Sequence, residues 1–386
     1  MTYRTLGSDL YSGTSGVALF LAELFAATNE PWARRTSLGA IQHALSRADS
    51  VQPAARLGLF SGWTGIALAA ARISVILDDP ALRDDARRLL QRTDFEGSGQ
   101  GDFDLVSGGA GAIAALVILN DMLRDESLLE HAIRLADGLI GTAQRSDRGY
   151  SWESPGWTNY HNLTGLSHGV AGVGYSLLEL HHATGMPKYR DAAKMAFDYE
   201  RYWFNPAVEN WPDFRKDVSS SYRKNQPHRC LSFWCHGAPG IALSRVRAYE
   251  ILGDETCKAE ADVALRTTRV SLEAGLNTAG ANFSLCHGVA GNAESLLYGA
   301  EVFKDESGGD VALAVDVAAA GVERYVARGE PWPCGTHVGE TPNLMLGLSG
   351  IGYFYLRIST PSTPSVLLPR REVWKKTQTS RVTPAS

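Results

Sequence analysis

Seven stretches of the sequence are apolar on nearly every face and follow the periodicity of a helix rather than the alternation of a strand. A helix that is apolar all round is buried, so these stretches are expected to form an inner layer. They span residues 17–27, 66–77, 112–123, 173–182, 241–252, 292–303 and 351–358. The amphipathic, charged stretches between them predict outer helices at residues 80–93, 126–143, 188–203, 255–272 and 311–328. The pattern predicts an all-α fold, an α/α toroid in which an inner barrel of seven helices is wrapped by an outer set.

A Gly-x-x-Gly pair stands before each apolar stretch. The seven pairs are Gly13/Gly16, Gly62/Gly65, Gly108/Gly111, Gly169/Gly172, Gly237/Gly240, Gly288/Gly291 and Gly347/Gly350. Their regular recurrence indicates a repeat architecture with one helical hairpin per repeat. Glycine at a helix N-terminus allows the close backbone approach that converging helices require. We expect the loops before the glycines to share one rim of a single domain, residues 1–369. We expect the chain after Thr360 to be extended and the tail, residues 370–386, to be partly disordered. Either this tail closes the ring or the chain is part of a larger protein.

Composition and charge exclude several classes of protein. The 386 residues are 44% hydrophobic and 20% charged, which argues against a disordered or fibrous chain. The net charge is −5, so nucleic acid is not an expected partner. No apolar run reaches the roughly 18 residues that a membrane span needs, and the first residues lack the features of a signal peptide, so we expect a cytoplasmic location. Five cysteines in such a compartment favour thiol or metal chemistry over disulfides.

Two Cys-His-Gly motifs stand at equivalent positions of the fifth and sixth repeats. They contain Cys235 and His236 in one repeat and Cys286 and His287 in the next. Equivalent positions in neighbouring repeats place both thiols at one rim, and thiolates with an imidazole are typical zinc ligands. The pattern predicts a catalytic zinc site built from Cys235, Cys286 and one of the two histidines. The alternative is that these are buried structural cysteines, an interpretation that fits Cys257 and Cys334 better.

Two further rim residues are candidates for proton transfer. His168 precedes the glycine pair of the fourth repeat, where it would face the metal and could act as acid or base near neutral pH. Asp104 lies four residues before the first glycine of the third repeat, and a carboxylate beside an imidazole would hold its orientation. Asp104 could instead serve only to cap a helix.

These motifs together resemble the lanthipeptide cyclase, or lanthionine synthetase C-like, family. The resemblance runs from Asp9 to about Pro369, and the segments 210–215 and 343–350 are similar to the cyclase half of two-function lanthipeptide synthetases. It implies zinc held by Cys235, Cys286 and His287. It also implies acid-base roles for His168 and Asp104, with His236 as a non-ligand that could substitute as proton donor.

The resemblance further implies a reaction and a substrate. A cysteine thiolate of a dehydrated precursor peptide adds to dehydroalanine or dehydrobutyrine and closes a lanthionine or methyllanthionine ring. Dehydration must come from another protein or domain, such as a kinase-lyase or dehydratase, because no such region fits in this length.

Other interpretations remain open at this stage. One is zinc-dependent addition of a free thiol such as glutathione to dehydrated residues, and another is a non-catalytic scaffold that presents peptides to partner enzymes. A toroidal glycoside hydrolase is a distant alternative, because no convincing pair of carboxylates lies at the rim. The aromatic-rich segment 199–233 forms either a lid or peptide-contact surface, or a packing layer between inner and outer helices.

Overall fold

The protein is a closed ring of helices in two layers. The computed structural model describes residues 5–95, 103–154, 160–216, 228–276, 278, 280–305, 307–335 and 339–374. The inner helices are α1 (Thr14–Thr28), α3 (Trp63–Leu77), α5 (Gly109–Leu123), α7 (Val170–Thr184), α9 (Ala238–Leu252), α11 (Val289–Phe303) and α13 (Leu348–Ser359). The outer helices are α2 (Pro31–Ser46), α4 (Pro80–Gln91), α6 (Glu126–Gly141), α8 (Pro187–Trp203), α10 (Glu255–Leu276) and α12 (Gly309–Gly321).

Packing between these helices closes the ring. Each inner helix contacts the next inner helix, and α13 contacts α1. Each outer helix packs on the inner helix that precedes it. All seven predicted inner helices and all five predicted outer helices are therefore confirmed, while α2 is an outer helix that the sequence pattern did not single out. The described secondary structure before the C-terminal segment also includes a short hairpin of β1 (Gln144–Ser146) and β2 (Gly149–Ser151), two 3-10 turns, Ala48–Ser50 and Pro53–Ala55, and a π-helical segment, Val322–Ala327.

Short hairpin connections set this alternation of layers. Six of the inner helices end at a residue in the left-handed conformation, such as Asp78 after α3 or Gly185 after α7. After five of these six, the next outer helix starts two residues later, often with proline in its first turn or with a capping aspartate, whereas α12 starts five residues after Lys304. The Asp79 carboxylate, for example, accepts the Ala81 N–H. Each repeat is thus one inner and one outer helix folded back on each other.

The second glycine of each pair marks a close backbone contact. A Cβ built on Gly291 would lie 1.7 Å from the carbonyl oxygen of Leu285, and in every repeat the second glycine meets the carbonyl six residues before it in the same way. No larger residue fits there without moving the loop. The loop before each inner helix is therefore folded tightly onto the first turn of that helix.

The segment after α13 enters the ring. It consists of residues 360–370 and a short helix, α14 (Arg371–Trp374). Its hydrogen bonds reach side chains of α3, α5, α7, α9, α11 and α13, so it lies inside the ring and contacts the inner helices all round. We call residues 360–374 the central plug.

The central plug is well packed. Thr363, Val366, Leu367 and Leu368 are at most 2% exposed, and Trp374 is 1% exposed. Ordered packing therefore continues to Trp374, beyond the domain boundary predicted at residue 369. The part of the predicted disordered tail after Trp374 lies outside the described residues. Helix α13 meets α1 directly, so the plug fills the ring rather than closing it.

Candidate metal centre and acid-base pair

The rim loops are linked by a cycle of backbone hydrogen bonds. The residues two positions before the first glycine of each pair are Tyr11, Phe60, Val106, Ser167, Cys235, Cys286 and Met345. In each of these bonds the N–H of one loop donates to a carbonyl of a neighbouring loop. The donor and acceptor residues are Tyr11 and Phe60 (2.8 Å), Phe60 and Val106 (3.0 Å), Leu105 and Ser167 (3.1 Å), Ser167 and Cys235 (3.0 Å), Cys286 and Met345 (2.9 Å), and Met345 and Tyr11 (2.9 Å). Six of the seven pairs of neighbouring loops are thereby joined through their backbones.

The seventh pair of loops carries the two thiols. Within the described part of the chain, no backbone hydrogen bond joins Cys235 to Cys286, and the side-chain amide of Asn292 instead donates to the Ser232 carbonyl at 2.8 Å. The donor atoms of Cys235, Cys286 and His287 all lie within 4.8 Å of one another. The structure thus groups His287, the histidine that the resemblance indicated, with the two thiols.

These three residues fit a zinc ion. Zinc bonds of about 2.3 Å to sulfur and about 2.1 Å to nitrogen, at tetrahedral angles, place the two ligand atoms about 3.6 Å apart. Cys286 Sγ lies 3.7 Å from Nε2 of His287. Both cysteines are free and 3% exposed, and Nδ1 of His287 is buried with no hydrogen-bond partner among the described residues. Three such ligands leave a fourth position for a substrate thiol.

The two thiols lie in a buried environment. Burial, together with the adjacent Cys286, raises the pKa of Cys235 to about 11. Burial and the same Cys286 also raise the pKa of the Tyr11 phenol far above its ordinary value. In the protein alone these two groups therefore carry no charge at neutral pH.

A histidine-carboxylate pair lies on the rim loops of the third and fourth repeats, next to the loop that carries Cys235. Nδ1 of His168 is 2.6 Å from Oδ2 of Asp104, whose side chain is 7% exposed. The other oxygen of Asp104 accepts the N–H of Ser107 at 2.6 Å, and its main-chain carbonyl accepts the N–H groups of Gly108 and Gly111. The carboxylate of Asp104 therefore contacts both the backbone of its own loop and the His168 ring, while α5 itself has no side-chain cap. An Nδ1–H donated to a carboxylate makes Nε2 the nitrogen that exchanges a proton with a substrate.

The loop that carries His168 is also fixed from the outer layer. Glu200 of α8 is fully buried, and its Oε1 accepts the N–H groups of Gly165 (2.8 Å) and Ala171 (3.2 Å). Its Oε2 is 3.0 Å from Nη2 of Arg245. Burial raises the pKa of Glu200 to about 7, although Arg245 and these N–H groups oppose the shift.

His236 belongs to a different group of residues. Its Nε2 lies 3.4 Å from Oδ2 of Asp213, and Nη2 of Arg215 lies 3.0 Å from Nδ1 and 3.1 Å from Nε2. The Phe233 ring contacts both the His236 and the His287 rings edge to face. The residue patterns left His236 and His287 equivalent, whereas the structure places His236 beside an ion pair and outside the group of candidate metal donors.

The segment between α8 and α9 supports the metal-bearing loop. Asn210 accepts the N–H of Ala238 at 2.8 Å and so caps α9, directly after Cys235 and His236. Trp211 and Phe214 are buried, in agreement with the packing interpretation of segment 199–233. Tyr222, another aromatic residue of this segment, lies outside the described residues.

Sequence reasoning missed three residues at this rim. Tyr11 could have been found, because it occupies the repeat position of Cys235 and Cys286. Asp213 and Arg215 lie in segment 210–215, which carried part of the resemblance, but this insertion has no counterpart in the other repeats, so the residue pattern did not indicate their place at the rim. The roles assigned to His168, Asp104 and His236 stay predictions.

Known proteins are similar to this chain in sequence and in fold. The sequence model of the family described as lanthionine synthetase C-like protein matches residues 4–369. The chain is 26% identical over 311 residues to the nisin biosynthesis protein NisC of Lactococcus lactis subsp. lactis, which covers 74% of this chain and 72% of that protein. It is 23% identical over 219 residues to glutathione S-transferase LANCL1 of Danio rerio, which covers 54% of this chain and 49% of that protein. The chain thus spans about half the length of this second relative.

The solved structure of a nisin cyclase shares the fold. It matches with a TM-score of 0.68 at 18% identity and covers 97% of this chain and 93% of that chain. The predicted toroid is therefore confirmed. None of the described helices is long and apolar enough to span a bilayer. Because the family match covers nearly the whole sequence, the resemblance in the motifs is confirmed, and the chain belongs to the lanthionine synthetase C-like family.

Proposed function

We propose that this protein is a zinc-dependent cyclase that forms thioether rings in a dehydrated precursor peptide. The observation that carries the proposal is the convergence of two buried thiols and an imidazole at the one pair of rim loops that no backbone hydrogen bond joins among the described residues. The nearby His168–Asp104 pair supplies a group for proton transfer. Family membership supports the same reaction.

The reaction forms one carbon–sulfur bond and moves one proton. Cys235, Cys286 and His287 would hold the zinc ion, which would supply a Lewis acid that lowers the pKa of a peptide thiol bound there, so that the thiolate would be present at neutral pH. The thiolate adds to the β-carbon of dehydroalanine or dehydrobutyrine, and the electron pair of the C=C bond moves towards the adjacent carbonyl. The resulting enolate takes up a proton at the α-carbon. Thiol and alkene are consumed together, so the mass of the peptide does not change.

His168 and Asp104 serve the proton transfers. Nε2 of His168 takes the thiol proton and returns one to the α-carbon, while the carboxylate of Asp104 keeps the ring in the orientation that this requires. His236 is a second candidate proton donor, because it lies on the same rim beside Cys235.

Metal analysis with matched variants tests the site. We expect near-stoichiometric zinc in the purified protein and in Cys257→Ala, because Cys257 is a buried cysteine on α10, away from the rim. We expect Cys286→Ala to lose the metal. Full zinc retention in Cys286→Ala would show that the metal lies elsewhere.

Addition of a free thiol is the second candidate function, supported by the name of the Danio rerio relative. A dehydrated peptide with its own cysteine, offered with and without glutathione, separates the two. Ring closure leaves the mass unchanged and blocks alkylation of the cysteine, whereas glutathione addition increases the mass by one glutathione.

A non-catalytic scaffold would bind the peptide without changing it. Under that alternative His168→Ala has no effect on ring formation in a reconstituted pathway, whereas a catalytic role predicts a loss of about 100- to 10,000-fold.

The substrate must be made by another protein or domain. A separate dehydratase or kinase-lyase enzyme converts serine and threonine of the precursor to dehydroalanine and dehydrobutyrine. The cytoplasmic location and the absence of nucleic-acid binding stay predictions.

A further inference from the structure

An arginine from the insertion lies beside the metal-bearing loops. Arg215 is bound to Asp213 through two of its nitrogens, with Nη2 at 2.7 Å from Oδ2 and Nε at 3.0 Å from Oδ1. Nη2 also contacts His236, which directly follows Cys235. Burial by itself lowers the pKa of Arg215, and the ion pair with Asp213, together with the nearby Cys235 and Cys286, raises it above its ordinary value. The guanidinium therefore stays charged and lies within electrostatic range of both thiols.

The position of this cation is fixed by the backbone around it. The N–H of Asp213 donates to the Arg229 carbonyl at 2.8 Å, and the Thr164 hydroxyl donates to the Pro212 carbonyl at 2.5 Å. The N–H of Tyr160 donates to the Phe214 carbonyl at 2.9 Å. These bonds connect residues 212–214 to the fourth-repeat loop and to the segment that leads to Cys235. A charged group held in this way needs little reorganisation when a substrate reacts beside it.

The charge of the reaction requires such a group. Addition of a thiolate to a dehydroamino acid transfers one negative charge to the carbonyl oxygen of that residue. In a buried site this oxyanion is costly unless a fixed positive group faces it. Arg215 is such a group, and its side chain is 24% exposed, so it is not sealed off from a bound peptide.

We propose that Arg215 is a further catalytic residue whose guanidinium binds the carbonyl oxygen of the dehydroamino acid and stabilises the enolate. Asp213 is the positioning residue that holds the guanidinium. In this step the C–S bond forms as the C=C π pair moves to the oxygen. The pair then returns to form the C–H bond with a proton from the general acid, and the carbonyl is restored. The inference rests on the proposed function.

The test uses the full-length protein and two synthetic probes. One probe is a peptide with one cysteine and one dehydroalanine, and the other is an N-acyl dehydroalanine amide offered with glutathione. We expect Arg215→Ala to bind zinc like the wild type and to lose about 100- to 1,000-fold in kcat, the usual effect of removing one oxyanion donor. Arg215→Lys keeps the charge but not the planar fork, so its loss is smaller.

Chemical rescue separates catalysis from structure. We expect added guanidinium ion to restore part of the activity of Arg215→Ala, because a free cation can occupy the vacated position. The control is Arg229→Ala, an exposed arginine of the same segment whose contact with Asp213 uses only its backbone. Its activity should match the wild type.

Each outcome decides the matter. Zinc loss in Arg215→Ala, or a rate within about threefold of wild type, overturns the inference. If Arg215→Ala does not fold, Arg215→Lys decides, because a wild-type rate in a folded Arg215→Lys variant without rescue by guanidinium contradicts binding through the planar fork. If the wild-type protein holds zinc but converts neither probe, the proposed function fails, whereas conversion that is independent of Arg215 refutes only the present inference.

Discussion

Replacement of Trp374 by alanine tests whether the central plug is part of the core. Trp374 is 1% exposed, its indole N–H donates to the Ser365 carbonyl at 3.1 Å, and its own carbonyl accepts from Arg72 at 3.0 Å. Truncation of a buried tryptophan to alanine costs about 3–5 kcal/mol, which combines lost burial with the cavity left behind. The backbone contact to Arg72 remains in the variant. We therefore expect the free energy of unfolding to fall by about 4 kcal/mol.

Denaturant unfolding followed by circular dichroism measures this change. Trp32 on α2 is the matched control, because its side chain is 48% exposed, and Trp32→Ala should change stability by less than about 1 kcal/mol. Equal slopes of the transitions show that the comparison concerns the same folded state. Two truncated variants add a second comparison. The variant that ends at Pro369 lacks the last part of the plug, whereas the variant that ends at Trp374 keeps it.

Equal losses in Trp374→Ala and Trp32→Ala would refute the reasoning. The segment after residue 369 would then contribute little to the stability of the core. A larger loss in Trp374→Ala, matched by a lower stability of the chain ending at Pro369 than of the chain ending at Trp374, places the plug in the core.

Three further predictions concern the rim and the outer layer. Removal of zinc with a chelator should lower the free energy of unfolding by about 2.7 kcal/mol when free zinc was at 100 times its dissociation constant, and an unchanged midpoint would contradict a folded-state site. Gly237→Ala should be destabilising and lower zinc content, because Gly237 has φ +85° and a Cβ would meet the Leu231 carbonyl at 1.7 Å, whereas Gly253→Ala, also at positive φ but with open space, should retain zinc. The pKa of Glu200 is raised from 4.5 to about 7 by burial, so its contribution to stability is full below pH 4.5 and falls by up to about 3 kcal/mol as the pH rises to 7. Unfolding of the wild type and Glu200→Gln across that range should show a decreasing difference, and a constant one would contradict the raised pKa.

The sequence predicts the ring and the metal donors because both depend on local repetition. Apolar stretches with helical periodicity and glycine pairs recur in each repeat, so the position of one loop predicts the position of all seven. Cys235 and Cys286 fall at one repeat position, and their proximity follows from that alone. The choice between His236 and His287 did not follow, because the two residues are equivalent in sequence and differ only in what the insertion places beside them.

The remaining features depend on contacts between distant parts of the chain. The aspartate and arginine of the insertion approach the rim only through the folding of a segment that interrupts the repeat. The plug also escapes prediction, because its prolines and small polar residues resemble a loose tail, and its burial comes from a cavity that only the closed ring creates. Arg371 pairs with Asp121, 250 positions away in sequence, which no local pattern indicates.

Buried charges on the inner helices are explained by this plug. Three buried ion pairs join neighbouring inner helices: Arg72 with Glu23, Arg247 with Glu179, and Arg357 with Glu294. Isolated in a barrel such charges would be strongly unfavourable. Here Arg72 and Arg357 also donate to main-chain carbonyls of the plug. The loops at the N-terminal ends of the inner helices thus carry the thiol and imidazole groups. The buried charged residues of the same helices hold the chain segment that fills the ring. The Leu367 carbonyl of the plug accepts the indole N–H of Trp234, which directly precedes Cys235. The plug thus also supports the metal-bearing loop from the centre of the ring.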